Sequence, residues 1–185
     1  MVLPIVQYGQ PVLRVKGRRV ERTDERIRKL SANMIETMYD AHGLGLAAPQ
    51  VGESLRMTVI DVRPVDQERP STLTIAGEKQ DLEKWMPITL LNPELTLLEE
   101  RDVASEGCLS FPDINGDVTR STKVRVKADL LDGRAVEFEA TGMLARALQH
   151  EVDHLDGVLF IDRMNSATRA SLKGRLKRLQ RESEE

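Results

Sequence analysis

Apolar residues recur at Ile27, Leu30, Met34, Ile35 and Met38, with charged and polar residues between them. This i, i+3, i+4 spacing predicts a helix that turns one apolar stripe to a core. Asp24 stands where an N-cap belongs, and His42-Gly43 marks the far end. Met57 to Val62 reads as a strand, and Thr89–Leu91 and Leu95–Leu98 as two short strands separated by Asn92-Pro93. Strict alternation then sets in at Val124, Val126, Ala128 and Leu130, breaks at Asp132-Gly133, and resumes at Val136, Phe138 and Ala140. That pattern predicts a β-hairpin. A helical period returns from Gly142 to about Leu155, and a last helix from about Ser166 carries Leu172, Leu176 and Leu179 on one stripe.

The intervening segments lack either period. Gly9, Pro11 and Gly17 break the first 20 residues into short extended or turn pieces. Gly43 to Gly52 is rich in glycine and carries Pro49, which suggests a loop whose backbone comes close to something. Residues 63–87 are polar, with Pro64, Pro70, Gly77 and Pro87, and read as a surface insertion holding a short hairpin around Leu73-Thr-Ile75. An early helix, central strands and late helices predict an α+β fold. The expected architecture is one compact domain over 1–185, with short, mostly antiparallel sheets packed around the central helix from Gly142, plus N-terminal and C-terminal helices.

Composition narrows the function classes. Of 185 residues 40% are apolar and 31% charged, ordinary for a globular chain, and with 3% aromatics the core falls to Leu, Val, Ile, Ala and Met. A net charge of -3 gives no global footprint for sequence-specific nucleic acid. One cysteine excludes an internal disulfide and leaves a thiol free to act as ligand or nucleophile. There is no continuous apolar run of signal or membrane-spanning length, so the expected location is cytoplasmic.

The chemistry gathers late in the chain. Gln149-His150-Glu151-Val152-Asp153-His154 is HExxH on a predicted helix. At ~3.6 residues per turn, i and i+4 share a face, so both imidazoles can reach one divalent ion. Glu151 then stands beside the first ligand, placed to take a proton from a water activated there. A catalytic site needs a third protein ligand. The longer pattern HExxHxxGxxH keeps Gly157 here but puts Phe160 at the final histidine. Asp156, Asp162 and the acidic tail from Glu182 have no evident structural setting, and His42 reads as a solvated or capping imidazole at a helix end. Cys108, flanked by Gly107, is the remaining candidate, because a thiolate is a strong, soft ligand. Two rival readings share HExxH: an endopeptidase with a His, Glu or Asp as third ligand, and a metal-binding protein without turnover. Intact Cys108 and Glu151 weigh against the second.

Three motifs occur together in order, GLGLAAPQ (Gly43 to Gln50), EGCLS (Glu106 to Ser110) and QHEVDHLDG (Gln149 to Gly157). With YGQPVLR from Tyr8 and GVLFIDR from Gly157, they closely resemble the peptide deformylases over nearly the whole chain. The resemblance implies a metal-dependent hydrolase that removes the formyl group from the N-terminal methionine of new polypeptides and releases formate. It implies that Cys108, His150 and His154 hold one metal, ferrous iron physiologically and zinc, nickel or cobalt in preparations. It further implies that Glu151 is the acid/base, that the Gln50 side chain and the Leu109 N–H stabilise the oxyanion, and that Gly45 and Gly107 contact substrate. Helical spacing from His150 adds Met143 and Ala147, with Leu44, as the methionine pocket, while Arg146 either borders that pocket or is solvated. Asn115 and Gly116 stand where some relatives carry a basic residue, which leaves contacts beyond methionine open.

The C-terminal helix over 166–182 carries Arg169, Lys173, Arg175, Lys177, Arg178 and Arg181. A basic face of this kind is usually solvated. The resemblance also implies docking on the ribosome through such a helix.

Overall fold

The structure, a computed structural model, describes residues 1–67, 69–98 and 100–184. The first amphipathic pattern forms α1 (Glu25–Asp40). The Asp24 carboxylate accepts from the Ile27 N–H at 3.0 Å, which satisfies one of the unpaired donors of the first turn. The glycine-rich loop holds β1 (Gly45–Ala47), followed by a single 3-10 turn over Ala48–Val51, and leads to β2 (Met57–Ile60). Next come β3 (Thr72–Ile75), β4 (Glu78–Lys79), the short α2 (Leu82–Trp85) and β5 (Ile88–Leu97). Then follow β6 (Arg101–Cys108), β7 (Phe111–Ser121), β8 (Lys123–Asp129) and β9 (Ala135–Thr141). The chain closes with α3 (Gly142–Leu155), α4 (Phe160–Arg163) and α5 (Ser166–Glu184). No helix among the described residues is long and apolar enough to cross a membrane.

Seven strands make one sheet in the order β1-β2-β5-β8-β9-β3-β4, and β6 and β7 pair as a separate ribbon. All of these pairings are antiparallel. The β8–β9 hairpin forms where alternation predicts it, with Gly133 at φ +85° and the Arg134 N–H bonded to the Asp132 carboxylate. Helix α3 lies at the centre of the packing. Leu144, Ala145 and Leu148 join Ile60, Leu73, Leu90, Val126 and Phe138 in one cluster of buried side chains. A second cluster packs α1 on β1 and β2 through Met34, Met38, Leu46 and Met57. A third sets Leu172 and Leu176 of α5 against Phe111, Ile114 and Phe160.

Two sequence expectations change, and one stretch without a reading forms strands. The segment 63–87 is not only surface: β3 pairs with β9 inside the large sheet, and Leu73 is fully buried. It also caps the central helix. Thr141 makes no side-chain cap to α3; instead the Leu144 N–H donates to the Ser71 hydroxyl at 3.0 Å and the Met143 N–H to the Arg69 carbonyl at 3.3 Å. Gly142 sits at φ +64°, where a Cβ would overlap the Pro70 carbonyl. Polarity hid this role, because capping groups are themselves polar. The two strands expected around Asn92-Pro93 are one strand, β5, with a pairing irregularity between Leu91 and Glu94. Asn92 takes φ +52°, and its side chain bonds both the Val20 N–H and carbonyl, so the break is bridged from outside. The β6–β7 ribbon had no reading as strands, because few of its residues are apolar.

Replacing Leu73 by alanine tests the buried role of the segment. Expected is a loss of about 2–5 kcal/mol in urea unfolding, the range for truncating a buried leucine. A loss near zero would return the segment to the surface.

Candidate metal centre

The sulfur and both imidazoles meet. Cys108 closes β6, and His150 and His154 project one turn apart from α3. One ligand atom from each lies within 4.8 Å of the other two, and Cys108 Sγ stands 3.3 Å from His154 Nε2. The imidazole rings are 5.1 Å apart and tilted by 67°. His150 turns Nδ1 to the Glu106 carboxylate at 3.0 Å, which leaves Nε2 to face the cluster. This set of donors fits a divalent first-row metal: two imidazoles and a thiolate are borderline-soft ligands with little affinity for magnesium or calcium. Burial pushes His154 well below the usual imidazole range, whereas at His150 burial is outweighed by Cys108 and Glu106, which hold it well above that range.

Glu106 is held by more than His150. Arg120 bonds it through two nitrogens at 2.9 and 3.0 Å, and Arg146 through one at 2.7 Å. Burial opposes its ionisation, but the hydrogen bonds from His150 and Arg120 outweigh it and hold the carboxyl well below the usual carboxylate range. Arg120 reaches on to Asp153 at 2.6 Å, and Arg163 to the same carboxylate at 2.7 Å. The ribbon and α3 are thus joined by buried ion pairs, and by the Gln149 amide bonded to both the N–H and carbonyl of Ser121.

Glu151 faces β1. A Cβ on Gly45 would overlap the Glu151 carboxylate, so only glycine fits there. Burial pushes the Glu151 carboxyl up to about 7. Its Oε2 is buried with no hydrogen-bond partner among the described groups. Gln50 is aimed by its own turn: Oε1 accepts from the Ala47 N–H at 2.9 Å, while Nε2 stands 3.2 Å from the Ser110 hydroxyl and 3.5 Å from Cys108 Sγ.

A cavity of about 630 Å³ opens over this group. Leu44, Gly45, Gln50, Gly107, Cys108 and Leu109 line it from the loop and ribbon, and Met143, Ala147, His150 and Glu151 from α3. His154 completes the cluster but does not line the cavity.

A sequence profile for polypeptide deformylase matches residues 2–170. The chain belongs to the polypeptide deformylase family. The peptide deformylase of Methylacidiphilum infernorum is 42% identical over 98% of this chain and 94% of its own length. That of Acidobacterium capsulatum is 44% identical over 100% and 99%. The crystal structure of the peptide deformylase from Thermus thermophilus superposes with a TM-score of 0.81 at 37% identity, covering 98% of this chain and 99% of that one.

In this deformylase family member the structure adds residues that spacing did not single out. Glu106, Arg120 and Asp153 form the buried charge cluster behind the imidazoles. Arg146, left between pocket edge and solvent, is 5% exposed, bonded to Glu106 and also at the cavity wall. The signal in the sequence was slight, a carboxylate two residues before the cysteine. His42 lies outside the ligand cluster, exposed at φ +55° beyond α1.

Replacing Arg120 by alanine strips a cation from both Glu106 and Asp153. Expected is a loss of about 3–5 kcal/mol in chemical unfolding, as for other broken buried pairs. A loss below about 1 kcal/mol, the surface range, would show that the cluster is solvated.

Proposed function

We propose that this chain carries out the reaction of its family, hydrolysis of the formyl group from the N-terminal formyl-methionine of newly made polypeptides. The observation that carries the reading is the convergence of Cys108, His150 and His154 beside a buried carboxylate, Glu151, under one cavity. Those three side chains would hold one divalent cation, ferrous iron by family likeness, with zinc, nickel or cobalt as substitutes. When bound, such an ion supplies Lewis acidity that activates water and polarises a carbonyl.

The chain's own groups do the rest. Glu151 accepts a proton from the attacking water and returns it to the leaving amine nitrogen as the carbon–nitrogen bond breaks. Formate and a free N-terminal methionine leave. The formyl carbon bears only a hydrogen, so the water approaches unhindered. Charge gathers on the formyl oxygen, where the Gln50 side-chain amide and the Leu109 backbone N–H stabilise it. Gln50 needs no rearrangement for this, since the Ala47 N–H already fixes its orientation. Gly45 and Gly107 border the substrate backbone, and Leu44, Met143 and Ala147 form the methionine pocket. All five line the same cavity.

Helix α5 supplies a docking face for ribosomal RNA in this reading. Leu172 and Leu176 are buried, whereas Arg169, Lys173, Arg175, Lys177, Arg178 and Arg181 are exposed. Removing the helix would uncover the core, so charge reversal is the cleaner probe. Lys173→Glu with Lys177→Glu is expected to weaken ribosome binding, with a shallower salt dependence. Equal affinity at every salt concentration ends the idea.

The central test incubates metal-loaded protein with formyl-Met-Ala and with an unformylated peptide. Formate released from the first alone supports deformylation; cleavage of the second favours an endopeptidase; no turnover with any divalent metal overturns the reading. Glu151→Ala is expected to keep the metal and lose about 10²–10⁴-fold in kcat. Cys108→Ala is expected to lose most of its metal by elemental analysis, and a variant with full metal content would remove the cysteine from the ligand set.

A further inference from the structure

A second cavity, also about 630 Å³, lies on a different face of α3, where Gln149, Val152, Asp153 and Asp156 form its wall. Although the chain is acidic overall at -3, this wall is basic. Lys16, Arg19, Arg56, Arg101, Arg120 and Arg163 line it, against the carboxylates Glu94, Asp153 and Asp156.

The ion pairs within it leave cations over. Arg120 and Arg163 share Asp153, and Arg56 holds Asp156 at 2.6 Å. Arg19 reaches outward to Asp129 at 3.6 Å. Lys16 and Arg101 are exposed and form no ion pair among the described residues, and neither does Glu94. The two free cations enter from separate elements. Lys16 precedes Gly17, whose N–H binds the Leu155 carbonyl at the end of α3, whereas Arg101 opens β6 opposite Ser121. Pro93, Leu95 and the half-exposed Leu97 add an apolar stretch to the same wall.

We propose that this cavity binds a phosphate-bearing anion of nucleoside diphosphate size. Its phosphates would be held by Lys16 and Arg101, and its ring would lie on Leu95 and Leu97. Lysine and arginine are strong phosphate partners, and the volume lies within the ~300–1,000 Å³ of small-molecule sites. Asp153 holds Arg120 and Arg163, and Gln149 ties α3 to Ser121, so the wall behind Lys16 and Arg101 is fixed by contacts within the chain.

Calorimetric titration of the metal-loaded full chain with ADP, orthophosphate and adenosine tests this. ADP is expected to bind one to one, about tenfold or more tighter than either fragment, and more weakly as salt rises. Lys16→Ala with Arg101→Ala is expected to weaken ADP binding by about tenfold or more at unchanged formate release. Neither residue lines the catalytic cavity, so the double variant separates this site from any contact of ADP with the catalytic metal. A matched pair on α5, Lys173→Ala with Lys177→Ala, is expected to leave ADP binding unchanged. Absence of saturable ADP binding, ADP binding no tighter than orthophosphate, or an unaltered affinity in the cavity variant would overturn the proposal.

Discussion

The buried carboxylate of Glu106 is the constraint on which the site rests. It stands between three partners that would otherwise be costly to bury: Arg120, Arg146 and the His150 ring. A charge taken from water without such partners costs several kcal/mol. With them, the carboxylate on β6 is bonded directly to Arg146 and His150 on α3. The sulfur at the end of β6 and the imidazoles of α3 are thereby brought to one point.

Close approach is the second requirement. Glu151 packs directly on the Gly45 backbone, and the turn after β1 carries Gln50 to within reach of Cys108. Three separate stretches of chain therefore share one cavity wall. Each is held by hydrogen bonds that do not depend on substrate: Gln50 by Ala47, His150 by Glu106, and α3 by Ser71 at its first turn. Groups held this way keep their positions whether or not a ligand is present.

The helix that carries the histidines is also the axis of the fold. One face packs against the large sheet, another meets the cavity over Cys108 and His150, and a third meets the basic cavity. Its N-terminus is capped from residues 69–71 and its C-terminus is bonded by Gly17 and Arg56. A helix tied at both ends is a rigid mount, and two side chains one turn apart on it keep their spacing.

The sequence by itself determined whatever depends on short spacing. The 3.6-residue period gave α1, α3 and α5; alternation around Asp132-Gly133 gave the β8–β9 hairpin; and i, i+4 placed two imidazoles on one face. The glycine-rich loop was legible as a close approach, though not what it approached. Tertiary structure alone decided the rest, because the partners are far apart in the chain. Nothing local shows that Ser71 caps a helix starting at Gly142, that Asn92 bridges to Val20, or that Arg120 lies between Glu106 and Asp153. Each of these is a polar residue whose pattern in sequence is that of a solvated one. Only burial turns its hydrogen bonds into constraints, and burial is a property of the assembled fold.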